Sequence, residues 1–106
     1  MRKKPNKKLR PLVSIVIPTR NRSNLLEMAI ESVLKQTYTN LQVIVQDNNS
    51  ADDTRGVVAR FANDARVEYH RECIDLSMTD NWNKGYRYAS GEYFSRLDDD
   101  NVYFND

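Results

Sequence analysis

Three consecutive aspartates near the end of this sequence are the residues best suited to chemistry. Asp98, Asp99 and Asp100 directly follow a segment, 92–97, whose composition is typical of a β-strand. Hard divalent cations such as Mg²⁺ and Mn²⁺ prefer carboxylate oxygens, and a bound ion can in turn hold a diphosphate. Acidic runs at loop starts are usually solvated turns, but three adjacent carboxylates at the end of a buried strand repel one another without a cation. This aspartate trio therefore predicts a metal site, with Asp98 and Asp100 as ligands.

The other common devices for binding a nucleotide do not occur in the sequence. Glycine-rich phosphate loops and dinucleotide fingerprints need closely spaced glycines, whereas the only glycines are Gly56, Gly85 and Gly91. The single cysteine, Cys73, and the single histidine, His70, cannot form a structural zinc site. The phosphates of a bound nucleotide would therefore be neutralised by a metal ion that carboxylates hold.

The distribution of charge argues against nucleic acid as a partner. Six of the 16 basic residues and none of the 15 acidic residues occur in the first ten positions, so residues 11–106 carry ten basic and 15 acidic groups, a net charge of −5. Nucleic-acid-binding proteins spread basic charge over a folded surface. We interpret residues 1–11 as a solvated, flexible basic tail, with peripheral contact to anionic lipid as the alternative.

The 106 residues suffice for one domain with one modest core. No window contains the ~18 consecutive apolar residues that a membrane-spanning helix needs. A single cysteine cannot form an internal disulfide, which favours a reducing compartment. We therefore expect a cytoplasmic location, including the inner face of the membrane.

Short apolar runs alternate with segments of helical periodicity along the chain. The runs 12–17, 41–46, 66–70 and 92–97 predict β-strands. This alternation predicts the α/β fold class, with a three-layer, mainly parallel, Rossmann-like sheet that is incomplete at about four strands and three helices. Ligands bind at the carboxyl ends of the strands in such sheets, where the polar loops 18–22, 47–50 and 98–101 would converge.

Capping residues and apolar spacing predict where the three helices begin and which residues they bury. The predicted caps are Ser23 or Asn24 for the first helix, Ser50 with Asp53 for the second, and Ser77 with Asp80 for the third, which Gly91 would stop. The predicted inward residues are Leu25, Leu26, Ala29, Ile30, Val33 and Leu34 in the first helix, Val57, Val58, Phe61 and Ala62 in the second, and Met78, Trp82, Tyr86 and Ala89 in the third.

Four segments together resemble the amino-terminal part of a family 2 glycosyltransferase with the GT-A fold. They are VSIVIPTRNR at 13–22, SVLKQTY at 32–38, VQDNNSADDT at 45–54, and ASGEY at 89–93 leading into LDDD at 97–100. The segments occur in the family's order and spacing and cover nearly everything after residue 12. The resemblance identifies residues 12–106 as the nucleotide-sugar-binding part of a glycosyltransferase domain.

The resemblance implies a role for each polar loop. Pro18, Thr19 and Asn21 would lie beside the nucleoside of the donor, and the loop that begins with Asp47 and Asn48 would hold the base. Asn48 replaces an acid that is common in the family, and an amide can donate as well as accept. The trio would form the metal motif, with Asp100 as the foremost direct ligand of Mn²⁺ or Mg²⁺ and with Asp98 and Asp99 nearer the ribose or behind the metal.

The reaction implied by the resemblance is an inverting transfer from a nucleoside diphosphate sugar, usually UDP-linked, to an acceptor hydroxyl. The acceptor stays open among carbohydrate, lipid and protein. The general base is expected beyond Asp106, because family members are considerably longer. We accordingly expect a donor-binding half-site, doubtful turnover by this chain alone, and an apolar sheet edge that favours self-association.

Two other functional classes compete with this interpretation. The chain could be a non-catalytic nucleotide-binding fragment, in which the sheet persists without turnover. It could also be a Mg²⁺-dependent phosphoryl-transfer protein of the α/β class, although such proteins need an acidic cluster after the first strand, where this chain has Thr19 and Arg20.

Overall fold

The computed structural model describes residues 10–100 and places seven elements there. The strands are β1 (Val13–Thr19), β2 (Leu41–Asp47), β3 (Val67–Arg71) and β4 (Tyr93–Arg96), and the helices are α1 (Ser23–Leu34), α2 (Thr54–Ala59) and α3 (Met78–Arg87). Strands and helices alternate as predicted, which confirms the α/β class. The predicted tail falls mostly on residues 1–9, which lie outside the described range, and its role stays a prediction.

The four strands form one parallel sheet in the order β3-β2-β1-β4. The chain adds β2 and β3 on one side of β1 and then crosses over to add β4 on the other side. The strand order therefore reverses between β1 and β4. In an open parallel sheet, the crevice for a ligand lies at such a reversal, outside the carboxyl ends of the strands.

The apolar core lies on the face of the sheet that α1 and α2 cover. Alternate strand residues point to this face because side chains in a strand alternate in direction. The cluster contains Ile15, Ile17, Val43, Val45 and Leu97 from the strands and their loops, together with Leu26, Ala29, Ile30, Val33, Val57 and Val58 from the helices. Leu25 and Ala62 are exposed, so the prediction that they face inward is wrong.

The opposite face of the sheet packs against α3 and is largely polar. Asn81 and Gly85 are the buried residues of α3. The apolar stripe predicted for this helix is wrong, because Met78 is 68% exposed and Trp82, Tyr86 and Ala89 are only partly buried. The physical reason is the partner surface, where buried Val16 and Ile44 are joined by the buried amide of Gln46, so that α3 meets it through a small residue and an amide.

Gly85 allows α3 to approach the sheet closely. A Cβ atom at this position would lie 2.6 Å from Cγ1 of Val16 and 3.3 Å from Cβ of Gln46. One turn earlier, Asn81 donates from Nδ2 to the carbonyl oxygen of Gln46 over 3.2 Å, and Nε2 of Gln46 lies 3.3 Å from Oδ1 of Asn81. The helix is thus held by amide contacts and a glycine, which apolar periodicity cannot detect.

The helix ends differ from the predictions in three places. Neither α1 nor α2 has a side-chain cap; the cap positions are Arg22 and Asp53. Ser50 lies three residues before the cap position of α2, and its hydroxyl instead accepts from the backbone N–H of Asn21. The cap of α3 is confirmed, because Ser77 accepts from the N–H of Asp80 over 3.1 Å.

Gly91 does not stop α3, which already ends at Arg87. No glycine in the described residues has a positive φ. Gly91 instead lies where the chain passes close to β1, and a Cβ atom there would be 2.6 Å from the carbonyl oxygen of Leu12. Its small size therefore serves the entry into β4 rather than the end of the helix.

The strand β4 forms one edge of the sheet, and all four of its residues are exposed. Tyr93 is 64% exposed and Phe94 is 59% exposed. An apolar edge is thus present, while the self-association expected from it stays a prediction. Among the helices of residues 10–100, none has the length and apolar character needed to cross a membrane.

Candidate functional site

An open cleft lies at the carboxyl edge of the sheet, where the loops after β1 and β4 meet. Its volume is ≈ 660 Å³. One side is formed by the loop after β1, the opposite side by the aspartate trio, and the third by the start of α3 with the segment before it. The lining residues are Pro18, Thr19, Arg20, Arg22, Asn48, Leu76, Met78, Asn81, Trp82, Arg96, Asp98, Asp99 and Asp100.

A buried hydrogen bond joins the two loops at the strand-order reversal. The hydroxyl of Thr19, at the end of β1, donates to Oδ2 of Asp99 over 2.8 Å. Asp99 is 6% exposed. Burial raises the pKa of the Asp99 carboxyl, although the Thr19 hydroxyl and the Arg22 guanidinium oppose that shift. The middle aspartate therefore serves as the anchor of its loop on β1.

The flanking aspartates face the cleft and pair with arginines. Nη1 of Arg22 lies 3.1 Å from Oδ2 of Asp100 and 3.4 Å from Oδ1 of Asp99. Nε of Arg96 lies 3.2 Å from Oδ1 of Asp98. These two guanidinium groups offset much of the repulsion within the trio, so relief of that repulsion does not by itself require a metal ion.

Arg96 also stacks on an aromatic ring of the cleft wall. Its guanidinium carbon is 3.8 Å from the centroid of the Trp82 ring, which is a close cation–π contact. This contact fixes the direction of Arg96 and, through the ion pair, the position of the Asp98 carboxylate. Trp82 thus has a place in the site, whereas its spacing on α3 had predicted a core residue.

Asp47 is completely buried behind the cleft, at the end of β2. Its Oδ2 accepts from the hydroxyl of Tyr69 over 2.5 Å and its Oδ1 accepts from the N–H of Ser50 over 3.0 Å. Nε of Arg71 is 3.8 Å from the same carboxylate. Burial and the hydrogen bond to Asp47 raise the pKa of Tyr69 to about 12. In this structure Asp47 holds the shape of its own loop.

Asn48 fastens the third wall of the cleft to the end of β2. Its Nδ2 donates to the carbonyl oxygen of Leu76 over 2.8 Å, and its Oδ1 accepts from the N–H of Leu76 over 2.8 Å. Its backbone N–H donates to the carbonyl oxygen of Thr19 over 2.9 Å. A carboxylate could make only one of the two side-chain bonds, because it accepts but does not donate.

Asn21 joins the loops after β1 and β2. Its φ of 55° lies in the left-handed region, which asparagine tolerates better than most residues. Its Oδ1 accepts from the N–H of Ala51 over 2.6 Å, and its own N–H donates to the Ser50 hydroxyl over 2.9 Å. The side chain is therefore engaged between the loops and is not among the residues that line the cleft.

The predicted site residues fall into two groups. Those at the cleft surface are Pro18, Thr19, Asn48, Asp98, Asp99 and Asp100, while Asn21 and Asp47 lie in the supporting loops. Sequence patterns did not single out Arg22, Arg96 or Leu76. For Arg22 a signal exists, because a basic residue in the loop after the first strand of an acidic body is placed to meet the aspartates.

Residues 14–106 match the family model described as Glycosyl transferase family 2. This chain belongs to glycosyl transferase family 2. The resemblance inferred from the motifs is thereby confirmed.

Two curated relatives of this family 2 chain are named for transfer of glucose. A β-1,3-glucosyltransferase of Campylobacter jejuni, named for GalNAc(5)-diNAcBac-PP-undecaprenol, is 41% identical over 92 residues, which cover 85% of this chain and 30% of the relative. An Escherichia coli enzyme named UDP-Glc:alpha-D-GlcNAc-diphosphoundecaprenol β-1,3-glucosyltransferase is 36% identical over 92 residues, covering 87% of this chain and 36% of the relative. The chain thus spans about a third of the length of these relatives.

Two solved structures share the fold. A mannosyltransferase from Pyrobaculum calidifontis, in complex with GDP-Man and Mn²⁺, superposes with a TM-score of 0.82 at 28% identity, covering 94% of this chain and 30% of that one. S. aureus TarS superposes with a TM-score of 0.79 at 22% identity over 85% of this chain and 28% of that one. The predicted GT-A-like architecture is confirmed.

The donor atoms in the cleft fit a divalent ion that a diphosphate helps to hold. The side chains of Asp98 and Asp100 are 47% and 48% exposed, so both are accessible from the cleft. Across residues 10–100, no three His, Cys, Asp or Glu side chains are grouped to hold a metal by themselves. Mg²⁺ is typically bound by one or two carboxylates, with water and phosphate oxygens completing the octahedron. Asp98 and Asp100 are therefore carboxylates of the kind that such a shared site would use.

Proposed function

We propose that this chain forms the donor-binding part of an inverting, metal-dependent glycosyltransferase that takes its sugar from a UDP-linked donor. The observation that carries the proposal is the cleft itself. It lies at the reversal of strand order in a family 2 chain, where Asp99 of the aspartate trio accepts a hydrogen bond from Thr19.

In this proposal Asp98 and Asp100 hold Mn²⁺ or Mg²⁺ at the mouth of the cleft. When bound, the ion stabilises the negative charge that develops on the departing nucleoside diphosphate. The chain's own residues position the donor. Pro18, Thr19 and Asn48 lie beside the nucleoside, and Asp98 and Asp99 lie nearest the ribose.

Asn21 and Asp47 act on the donor through the loops that they hold. Both carboxylate oxygens of Asp47 already accept hydrogen bonds, and Oδ1 of Asn21 accepts from Ala51. A direct contact with the base would require these hydrogen bonds to break, and loss of the buried bond between Ser50 N–H and Asp47 would cost about 1–3 kcal/mol. The geometry therefore favours a positioning role for both residues.

The choice of UDP rests on relatives rather than on the cleft. The Escherichia coli relative is named for UDP-Glc, whereas the more distant Pyrobaculum structure contains GDP-Man and Mn²⁺. The acceptor hydroxyl is assigned in the same way. Both glucosyltransferase relatives are named for undecaprenol-linked diphosphate substrates, so we propose a lipid-linked glycan as the acceptor.

The basic tail supports work at a lipid surface, because clusters of lysine and arginine bind anionic lipids. Sedimentation with vesicles that contain anionic lipid should carry the chain down at low salt and release it at high salt. Neutral vesicles should leave it in solution. Binding to neither vesicle type would remove the proposed membrane contact.

Calorimetric titration tests the donor site directly. UDP should bind the chain in the presence of Mn²⁺ and lose at least about tenfold in affinity when the ion is chelated, since a metal–phosphate contact is a strong charge interaction. GDP in the same titration reports on the base. UDP binding that is indifferent to the metal would contradict metal dependence.

Substitution of one aspartate places the metal within the cleft. Asp100→Ala should abolish the Mn²⁺-dependent part of UDP binding while circular dichroism shows an intact fold. Glu31→Ala is the matched control, because it removes a carboxylate from an exposed position on α1. Equal binding by the two variants would argue against Asp100 as a ligand.

The two rival functions predict different results in related assays. A phosphoryl-transfer protein should react with acetyl phosphate and Mg²⁺ without affinity for nucleotide, but the loop after β1 offers Thr19, Arg20 and Arg22 rather than an acidic nucleophile. A non-catalytic nucleotide-binding fragment should bind UDP and release none from UDP-glucose. Measuring UDP release by this chain, and by a longer protein that contains it, separates binding from transfer.

A further inference from the structure

We propose that Arg22 changes partners during donor binding, pairing with Asp99 and Asp100 before the metal binds and with the donor's diphosphate afterwards. The inference rests on the proposed function and adds to it a residue that couples the two ligands. It makes Arg22 a diphosphate-binding residue whose availability depends on the metal.

The position of Arg22 is the first support. It is the N-cap residue of α1, in the loop after β1, and its side chain is 51% exposed. One nitrogen of its guanidinium, Nη1, is shared between two carboxylates, at 3.1 Å from Asp100 and 3.4 Å from Asp99. A shared, half-exposed contact of this kind is weaker than a bidentate pair and is easily exchanged.

The charge of the cleft is the second support. The three carboxylates of the trio and the guanidinium groups of Arg22 and Arg96 together leave one formal negative charge. Arg20 adds none, because it pairs with Asp75 over 3.0 Å. Without a divalent ion the cleft therefore does not attract a diphosphate, and with the ion its formal charge becomes +1.

The exchange follows from these two facts. A divalent ion on Asp98 and Asp100 competes with the Arg22 guanidinium for the Asp100 carboxylate, because Oδ2 of Asp100 is the atom that contacts Arg22. Arg22 then keeps only the longer contact of 3.4 Å to Asp99 and can turn its other N–H groups to phosphate oxygens, which guanidinium geometry matches well. The metal and the diphosphate should accordingly bind with positive coupling, to which Arg22 contributes.

The test measures the two ligands separately in Arg22→Gln. Electron paramagnetic resonance of free Mn²⁺ gives the metal affinity in the absence of nucleotide. This affinity should rise about two- to fivefold, because a competing exposed cation has been removed. Calorimetry with UDP at saturating Mn²⁺ should show the opposite change, a loss of about tenfold or more, because a charge-assisted contact to the diphosphate has been lost.

Opposite changes distinguish this proposal from a merely structural role, which would weaken both ligands together. Arg60→Gln is the matched control, because it removes an exposed arginine that pairs with Glu27 over 2.6 Å and does not line the cleft. It should leave both affinities unchanged. Arg22→Lys should restore part of the UDP affinity, since lysine keeps the charge but not the fork of donors.

Two outcomes overturn the inference in different ways. Unchanged or tighter UDP·Mn²⁺ binding in Arg22→Gln, with wild-type binding intact, overturns the partner exchange alone. Absence of Mn²⁺-dependent UDP binding in the wild-type chain overturns the proposed function and the exchange with it. Urea unfolding of each variant verifies that an observed loss does not come from an unfolded chain.

Discussion

At the scale of single residues, the polar groups of this chain are shared between holding loops and facing the cleft. The side chains of Asp47 and Asn21 accept hydrogen bonds from backbone N–H groups of the loops, whereas those of Asp98 and Asp100 are half exposed. A family motif does not tell loop-holding residues from cleft-facing residues, because both kinds are polar and lie in the same loops. Burial and the number of internal partners do separate them.

The contact between Tyr69 and Asp47 should make stability fall steeply at alkaline pH. Burial and this hydrogen bond raise the pKa of Tyr69 in the folded chain to about 12, above its ordinary value of 10.0. A raised folded pKa contributes stability that is complete below pH 10 and is lost as the pH rises toward 12. In Tyr69→Phe, the free energy of unfolding in urea should be lower at pH 8 and should decline less between pH 10 and 12.

Parallel pH profiles for the wild-type chain and Tyr69→Phe would contradict this assignment. The conservative change keeps the ring, so that lost packing contributes little to the comparison. Asp47→Asn provides a second readout, because the absorbance titration of Tyr69 should move to lower pH when the carboxylate becomes an amide.

At the scale of elements, α3 is joined to the sheet by small and polar residues rather than by an apolar stripe. Gly85 sets the distance between helix and sheet, and Asn81 with Gln46 supplies hydrogen bonds. The same logic applies to the segment before α3, which Asn48 fastens at Leu76. Elements that build the cleft are therefore positioned by specific contacts.

Gly85→Ala should destabilise the chain although alanine is the better helix former. The new methyl group would meet Val16 at 2.6 Å in a closely packed interface, and overpacking of this kind costs about 1–3 kcal/mol. Gly56→Ala is the control, because the clash there is with the exposed side chain of Asp53, which can rotate away. Urea unfolding should show a loss for the first variant and little change or a gain for the second.

Asn48→Asp should loosen the third wall of the cleft. The substitution removes the donor to the Leu76 carbonyl and places a carboxylate oxygen beside it, at a cost of about 1–3 kcal/mol. Amide hydrogen exchange at residues 72–77 should accelerate, and UDP affinity should fall. Asn63→Asp, at an exposed turn, is the control for the added charge. Unchanged exchange at Leu76 would exclude this clamp.

At the scale of the whole molecule, residues 10–100 form a four-stranded sheet with β4 at an exposed edge and a cleft at the carboxyl ends of β1 and β4. The edge strand β4 exposes Tyr93 and Phe94. The curated relatives are about three times longer than the aligned region. An edge of this kind presents unpaired backbone groups that another strand can use.

The isolated chain should therefore self-associate at high concentration. Sedimentation velocity should show a mass that rises with concentration, and Tyr93→Lys should reduce the effect because lysine on an edge strand opposes pairing. Met28→Lys, which changes an exposed residue of α1 that is 58% accessible, is the control. A monomer at all concentrations would show that the edge is protected.

The sequence by itself determined the α/β class, the order of strands and helices, and the polar loops that meet at the cleft. These features follow from local pattern, because apolar runs and polar turns depend on neighbouring residues. The aspartate trio was also found in this way, together with the expectation that it lies near Thr19, which the 2.8 Å bond to Asp99 meets.

Only the tertiary structure decided which polar residues face the cleft and which form the hydrogen bonds that hold its loops together. Asn48 finds its partner 28 positions away at Leu76, and Arg22 meets Asp100 across 78 positions. The mismatch of α3 with its apolar pattern has the same origin, since the helix packs on the amide of Gln46. Such pairings depend on distances between segments that folding brings together, and local periodicity contains no information about those distances.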